Sequence, residues 1–133
     1  MAYLEDSRNE SRMNEIAEKT AFLLNSHPFN RSYLYAFAQL VYYYSYINRA
    51  PEKAKYFYNE IKQYLENDTD ANSYRIRAHY ELTVNNNYEL ARSLADKANA
   101  KLPVFSAGGE RLYEADCIQK LYERLDNEAN YIV

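Results

Sequence analysis

Apolar residues recur at steps of three and four along most of this chain, and the breaks between runs fall on turn-forming residues. The pattern predicts six helices. The first runs from about Asn9 to Leu24 and is closed by Asn25-Ser26-His27-Pro28. The second runs from about Arg31 to Ile47 and stops at Asn48-Arg49. The third opens on Pro51, a favoured first helical residue, and reaches about Glu66 before Asn67-Asp68-Thr69-Asp70 breaks the period. The fourth spans about Ala71 to Val84 and ends on Asn85-Asn86-Asn87, residues that tolerate left-handed turns. The fifth spans about Tyr88 to Lys101, ahead of Pro103. The sixth follows Gly108-Gly109 and runs to about Asp126. Those are the only two glycines, and there are three prolines, too few turn formers for a β-sandwich or barrel. The fold class read from this pattern is all-α, with short loops joining antiparallel neighbours.

A repeat of 37 residues runs through the pattern. Glu15, Glu52 and Glu89 share one column, and Ala17, Ala54 and Ala91 the next. Ala21, Tyr58 and Ala95 follow, then Leu24, Ile61 and Ala98. In the alternate helices Phe37 matches Tyr74, Val41 matches Ala78 and Ala115, and Asn48 matches Asn85. The glutamate falls in the first helical turn, where the macrodipole favours negative charge. The alanine column marks where two helices approach closely.

A helix pair with an aromatic near the start of helix A, a small residue four on, and A-x-x-x-[AFY]-x-x-A on helix B resembles a tetratricopeptide repeat. Tyr74, Ala78, Ala91, Ala95, Ala98 and Pro103 form one copy, and Phe37, Val41, Ala54, Tyr58 and Ile61 the one before it. The spacing of 37 departs from the usual 34, and Tyr or Phe stands where tryptophan is usual. The resemblance covers residues 31–103 best. It implies a right-handed array of antiparallel helix pairs whose A helices line a concave face. The degenerate spacing and the tyrosine content are also similar to the repeat domains of peptide-responsive regulators of Gram-positive bacteria, of the Rgg, PlcR and Rap type. That likeness implies a short peptide held on the concave face, and a bacterial regulator. Such regulators often carry an N-terminal helix-turn-helix. Here the first helix already falls in the helix B register, so the chain is either a fragment of a longer protein or a small stand-alone relative.

Composition narrows the function. At 133 residues the chain suits one domain, 1–133. The net charge of −3 and the scattered positions of Arg75, Arg77, Arg92, Lys97 and Lys101 argue against direct nucleic-acid binding. No apolar stretch approaches the ~20 residues of a membrane helix, and the first residues do not read as a signal peptide. One cysteine provides no disulfide framework, which fits a reducing, cytoplasmic setting. The 16 tyrosines, with no tryptophan, suit half-buried surfaces and grooves.

Within the repeat register, Phe37, Leu40, Val41, Tyr44 and Asn48 form one face of the second helix, directed at the third. Tyr35, Gln39, Tyr42 and Tyr46 point the other way, with Ala38 and Ser45 at the edge. The matching positions are Asn72, Arg75, His79 and Thr83 on the fourth helix, and Leu112, Asp116 and Gln119 on the sixth. The expected ligand-binding set is Tyr35, Tyr42, Tyr46, Asn72, Arg75, His79 and Asp116. Aromatic rings offer contact area there, and amides hold an extended backbone. Arg75 matches a ligand carboxylate bidentately, or else is solvated or paired with a nearby acid. Read as exposed, it contributes little to folding. His79 and Asp116 occupy equivalent positions and reach each other if their helices lie about 8–10 Å apart.

The competing readings are a Tyr-rich surface that makes a homodimer or scaffold, and tyrosines that simply fill a core. An enzyme ranks last. Cys117 points about 100° away from Asp116 on a helix, and there is no phosphate loop, metal-ligating histidine pair or EF-hand spacing. No cofactor or metal is implied. The reading is a non-enzymatic module that binds a peptide or partner segment.

Overall fold

The computed structural model describes residues 7–25, 34–102 and 109–129, which form six helices with no strand among them. They are α1 (Ser7–Asn25), α2 (Leu34–Tyr42), α3 (Pro51–Asn67), α4 (Ala71–Tyr80), α5 (Tyr88–Ala100) and α6 (Gly109–Ala129). α2 continues into a π-helical turn over Tyr43–Ile47, and α4 into another over Glu81–Asn85. The turn His27-Pro28, Pro103 and Gly108 lie outside the described residues.

The helix starts follow local chemistry. Pro51 occupies the first turn of α3, where its missing N–H costs nothing, and Glu52 beside it faces the positive end of the helix dipole. Asp70 caps α4 by accepting from the Ser73 N–H at 2.7 Å, and Asn87 caps α5 by accepting from the Leu90 N–H at 3.1 Å. Between α4 and α5, Asn86 takes the left-handed conformation at φ 52°, which asparagine tolerates better than most residues.

The two π turns are wide closures of their helices. The Asn48 N–H donates to the Tyr43 carbonyl and the Ala50 N–H to that of Tyr44. In the second turn the Asn87 N–H donates to the Glu81 carbonyl. Such turns bend the helix end and re-aim its last side chains.

α2 packs chiefly on α3, α4 on α5, α5 on α6, and α2 also meets α4. One apolar cluster joins α2 and α3, with Ala17 from α1 and Ile76 and Tyr80 from α4. Phe37 meets Phe57 edge-on at 5.7 Å, and Tyr58 stacks on Tyr80 at 3.8 Å. The other cluster joins Ala78 and Leu82 to Ala91, Leu94 and Ala95 of α5 and Leu121 and Leu125 of α6, with Tyr74 packed against it. The alanines of the shared column, Ala17, Ala54 and Ala91, are all buried. Of the face assigned to α3, Phe37, Leu40, Val41 and Tyr44 are buried. Asn48 is exposed and donates to Asn14 of α1 at 2.9 Å.

Candidate functional site

Where α2 and α4 meet, polar and aromatic side chains gather around one histidine. His79, on the last turn of α4, is 1% exposed. Tyr46 stacks on its ring at 4.3 Å and Tyr42 meets it edge-on at 5.7 Å. The two tyrosines, four residues apart on one helix, lie 5.8 Å from each other. One turn before His79, the Arg75 guanidinium lies over the Tyr42 ring at 4.8 Å and donates from Nη2 to Asn72 Oδ1 at 2.6 Å. Tyr42, Tyr46, Asn72, Arg75 and His79 thus come together.

The centre of the cluster comes from α6. Arg124 is 6% exposed and all three of its nitrogens are engaged. Nη1 donates to the Ser45 carbonyl at 3.0 Å and to His79 Nδ1 at 2.8 Å. Nη2 donates to Thr83 Oγ1 at 2.6 Å, and Nε to Glu128 Oε1 at 2.9 Å. The Thr83 hydroxyl in turn donates to the Ser45 carbonyl. Arg124 therefore holds both π turns at once: a carbonyl near the end of α2 and a hydroxyl near the end of α4. Glu128 Oε1 also accepts from Arg49 Nη1 at 2.8 Å, so one carboxylate bridges two guanidinium groups.

These bonds fix the state of His79. A guanidinium has no acceptor, so Nδ1 must accept from Arg124, and the imidazole is neutral with its proton on Nε2. Burial lowers the His79 pKa well below its ordinary value, and the charges of Arg124, Arg75 and Arg49 lower it further. Burial likewise lowers that of Arg124 from the usual guanidinium range, against the opposing pull of Glu128.

Three expectations change. Arg75 is 4% exposed, not solvated: α4 turns it onto Tyr42, whose ring supplies a face for the guanidinium. His79 does not pair with Asp116. Its Nδ1 is taken by Arg124, while Asp116 is exposed and pairs with Lys120 at 3.3 Å, one turn along α6. Tyr35 is 71% exposed and stands apart from the cluster. Tyr43 and Tyr44 are core residues, so the run Tyr42-Tyr43-Tyr44 divides between core and site. The side chain of Leu112 lies outside the described residues.

Arg124, Glu128 and Arg49 were missed by the sequence reading. A signal existed. Cys117, Leu121, Arg124 and Glu128 fall on one stripe of α6 at steps of four, three and four, so an arginine and an acid interrupt an inward-facing row. Among the described residues no group of His, Cys, Asp and Glu is placed to hold a metal, and no helix is long and apolar enough to cross a membrane. The chain matches no family model, no curated protein and no solved structure.

Proposed function

We propose that this chain is a non-enzymatic binding module that takes a short peptide or partner segment on the face shared by α2 and α4, and that binding there is regulatory. The observation that carries this reading is the convergence of Tyr42, Tyr46, Asn72, Arg75 and His79 at one place, drawn from two helices. Tyr42, Tyr46 and Asn72 are half-buried there. That combination of rings and an amide suits an extended peptide backbone.

The paired packing of α2 with α3 and of α4 with α5 supports a tetratricopeptide-like array, with α2 and α4 as the A helices. In this reading α6 caps the array, and its Arg124 ties the two A-helix ends together. The alternative, a homodimer formed through tyrosines, has less support: Tyr43, Tyr44, Tyr58 and Tyr80 are buried within the chain, and among the described residues Tyr35 and Tyr56 are the exposed tyrosines.

The test is a random-peptide display screen against the whole chain, followed by titration of a selected peptide on Tyr42→Ala. Loss of a packed aromatic contact should weaken binding roughly tenfold or more. If no peptide is selected while sedimentation shows a dimer at micromolar concentration, self-association takes the place of this reading.

A further inference from the structure

Arg75 is buried with most of its donors unused. A guanidinium carries five N–H groups, and only one here has an acceptor, Asn72 Oδ1 at 2.6 Å. Nε and Nη1 are buried and make no hydrogen bond. The Tyr42 ring, 4.8 Å away, attracts the charge but does not replace the missing acceptors. Arginine cannot shed its proton to escape this position, so the charge and its unfilled donors stay buried together.

Four acids of the described residues have other partners, while Glu114 Oε2 on α6 is buried without a hydrogen bond, to Arg75 or to any other group. Glu128 Oε1 serves Arg49 and Arg124. Asp70 Oδ1 caps α4, and Asp68 Oδ2 accepts from the Ser73 hydroxyl. Asp116 pairs with Lys120. Three guanidinium groups, those of Arg49, Arg75 and Arg124, act on His79. Glu128 is the one acid ion-paired with any of the three among the described residues. The site is locally cationic in a chain whose net charge is −3. Glu128 shows how it treats an acid: one oxygen is gripped by two guanidinium groups. Arg75, one helical turn before His79, has the same donors and no ion-paired acid among the described residues.

We infer that Arg75 is a seat for a single oxyanion group, with Asn72 orienting the guanidinium and Tyr42 lying against its face. The inference rests on the binding face proposed above and names the chemistry its ligand must carry. A carboxylate and a phosphate both present paired oxygens that match the unused nitrogens. Tyr42 and Asn72 are the half-buried residues beside the seat.

The probes are sodium acetate and sodium phosphate, each titrated against chloride at constant ionic strength and pH 7. The readout is the Nε–Hε resonance of each arginine in the whole chain, with Arg75 assigned through Arg75→Lys. The Arg75 resonance is expected to follow a saturable curve while that of exposed Arg92 does not. A response to acetate alone identifies a carboxylate, and a response to phosphate alone a phosphate. In thermal unfolding, the anion should raise the Tm of the parent along the same curve. The apparent affinity should fall roughly tenfold or more in Arg75→Lys. An Arg75 resonance that stays still, or drifts linearly with that of Arg92 in both salts, overturns the seat, and because it is read on the parent chain no variant needs to fold. A saturable anion response with no peptide selected removes the peptide reading alone. A selected peptide that binds with Arg75 unmoved removes the anion seat alone.

Discussion

At the scale of single residues, two side chains set the behaviour of the site. His79 is held neutral, so its folded pKa lies below its unfolded value near 6.5. The unfolded chain then binds a proton that the folded chain refuses. Stability is therefore complete above about pH 6.5 and falls as the pH drops toward the folded pKa, with a slope of at most about 1.4 kcal/mol per unit from this one group. Between pH 7 and pH 5 the parent should lose more Tm than His79→Gln. Parallel curves for the two would show that this histidine is not the titrating group. Arg124 is the second. Removing it leaves the Ser45 carbonyl, the Thr83 hydroxyl and Glu128 without its donors. Arg124→Leu should cost about 3 kcal/mol or more in urea denaturation, the range for breaking a buried, bonded charge. Arg124→Lys should recover little, because one ammonium cannot reproduce a fork that spans four acceptors. A lysine variant as stable as the parent would mean that charge alone, and not the fork, matters here.

At the scale of elements, the close approaches rest on alanine. Ala54 faces α2 and Ala91 faces α4, both fully buried. Leu at position 91 adds methylenes to a fully buried contact. Ala91→Leu should destabilise by about 1–3 kcal/mol in the same urea assay. The exposed Ala100 on the same helix supplies the control, since Ala100→Leu adds the same volume in solvent. Equal effects at the two positions would argue against a tight α4–α5 contact. The helix starts and stops were legible because they depend on neighbours in sequence: Pro51 in the first turn, the breaks at 67–70 and 85–87, and Asn86 in the left-handed region. The π turns were not. Their extra residue is accommodated where Ser45, Thr83 and Arg124 bond across three elements, and no local residue type signals it.

At the scale of the whole molecule, α4 belongs to both apolar clusters. Ile76 and Tyr80 pack with α2 and α3, while Ala78 and Leu82 pack with α5 and α6. Neither cluster can open without stripping one face of the same helix, and Arg124 adds a polar tie between them. Far-UV circular dichroism and tyrosine fluorescence should therefore report one coincident unfolding transition. Two separated midpoints would show that the clusters unfold independently, despite their common helix.

The helices and their apolar faces follow from local pattern, because a helix is set by period and by caps within a few residues of each end. Local pattern also placed Tyr42, Tyr46, Arg75 and His79 on matching faces of two helices. What those faces meet was set by long-range packing. Arg124 lies 79 residues from Ser45 and 45 from His79 in the chain, and their bonds exist only once α6 has packed against α4. The meeting of α4 with α2 buried Arg75 against Tyr42, where solvation was one of the expected alternatives, and α6 gave His79 a guanidinium in place of the expected carboxylate. Periodicity shows which way a side chain points. What it finds there, and so its burial, charge state and unfilled bonds, depends on long-range contacts that no local pattern encodes.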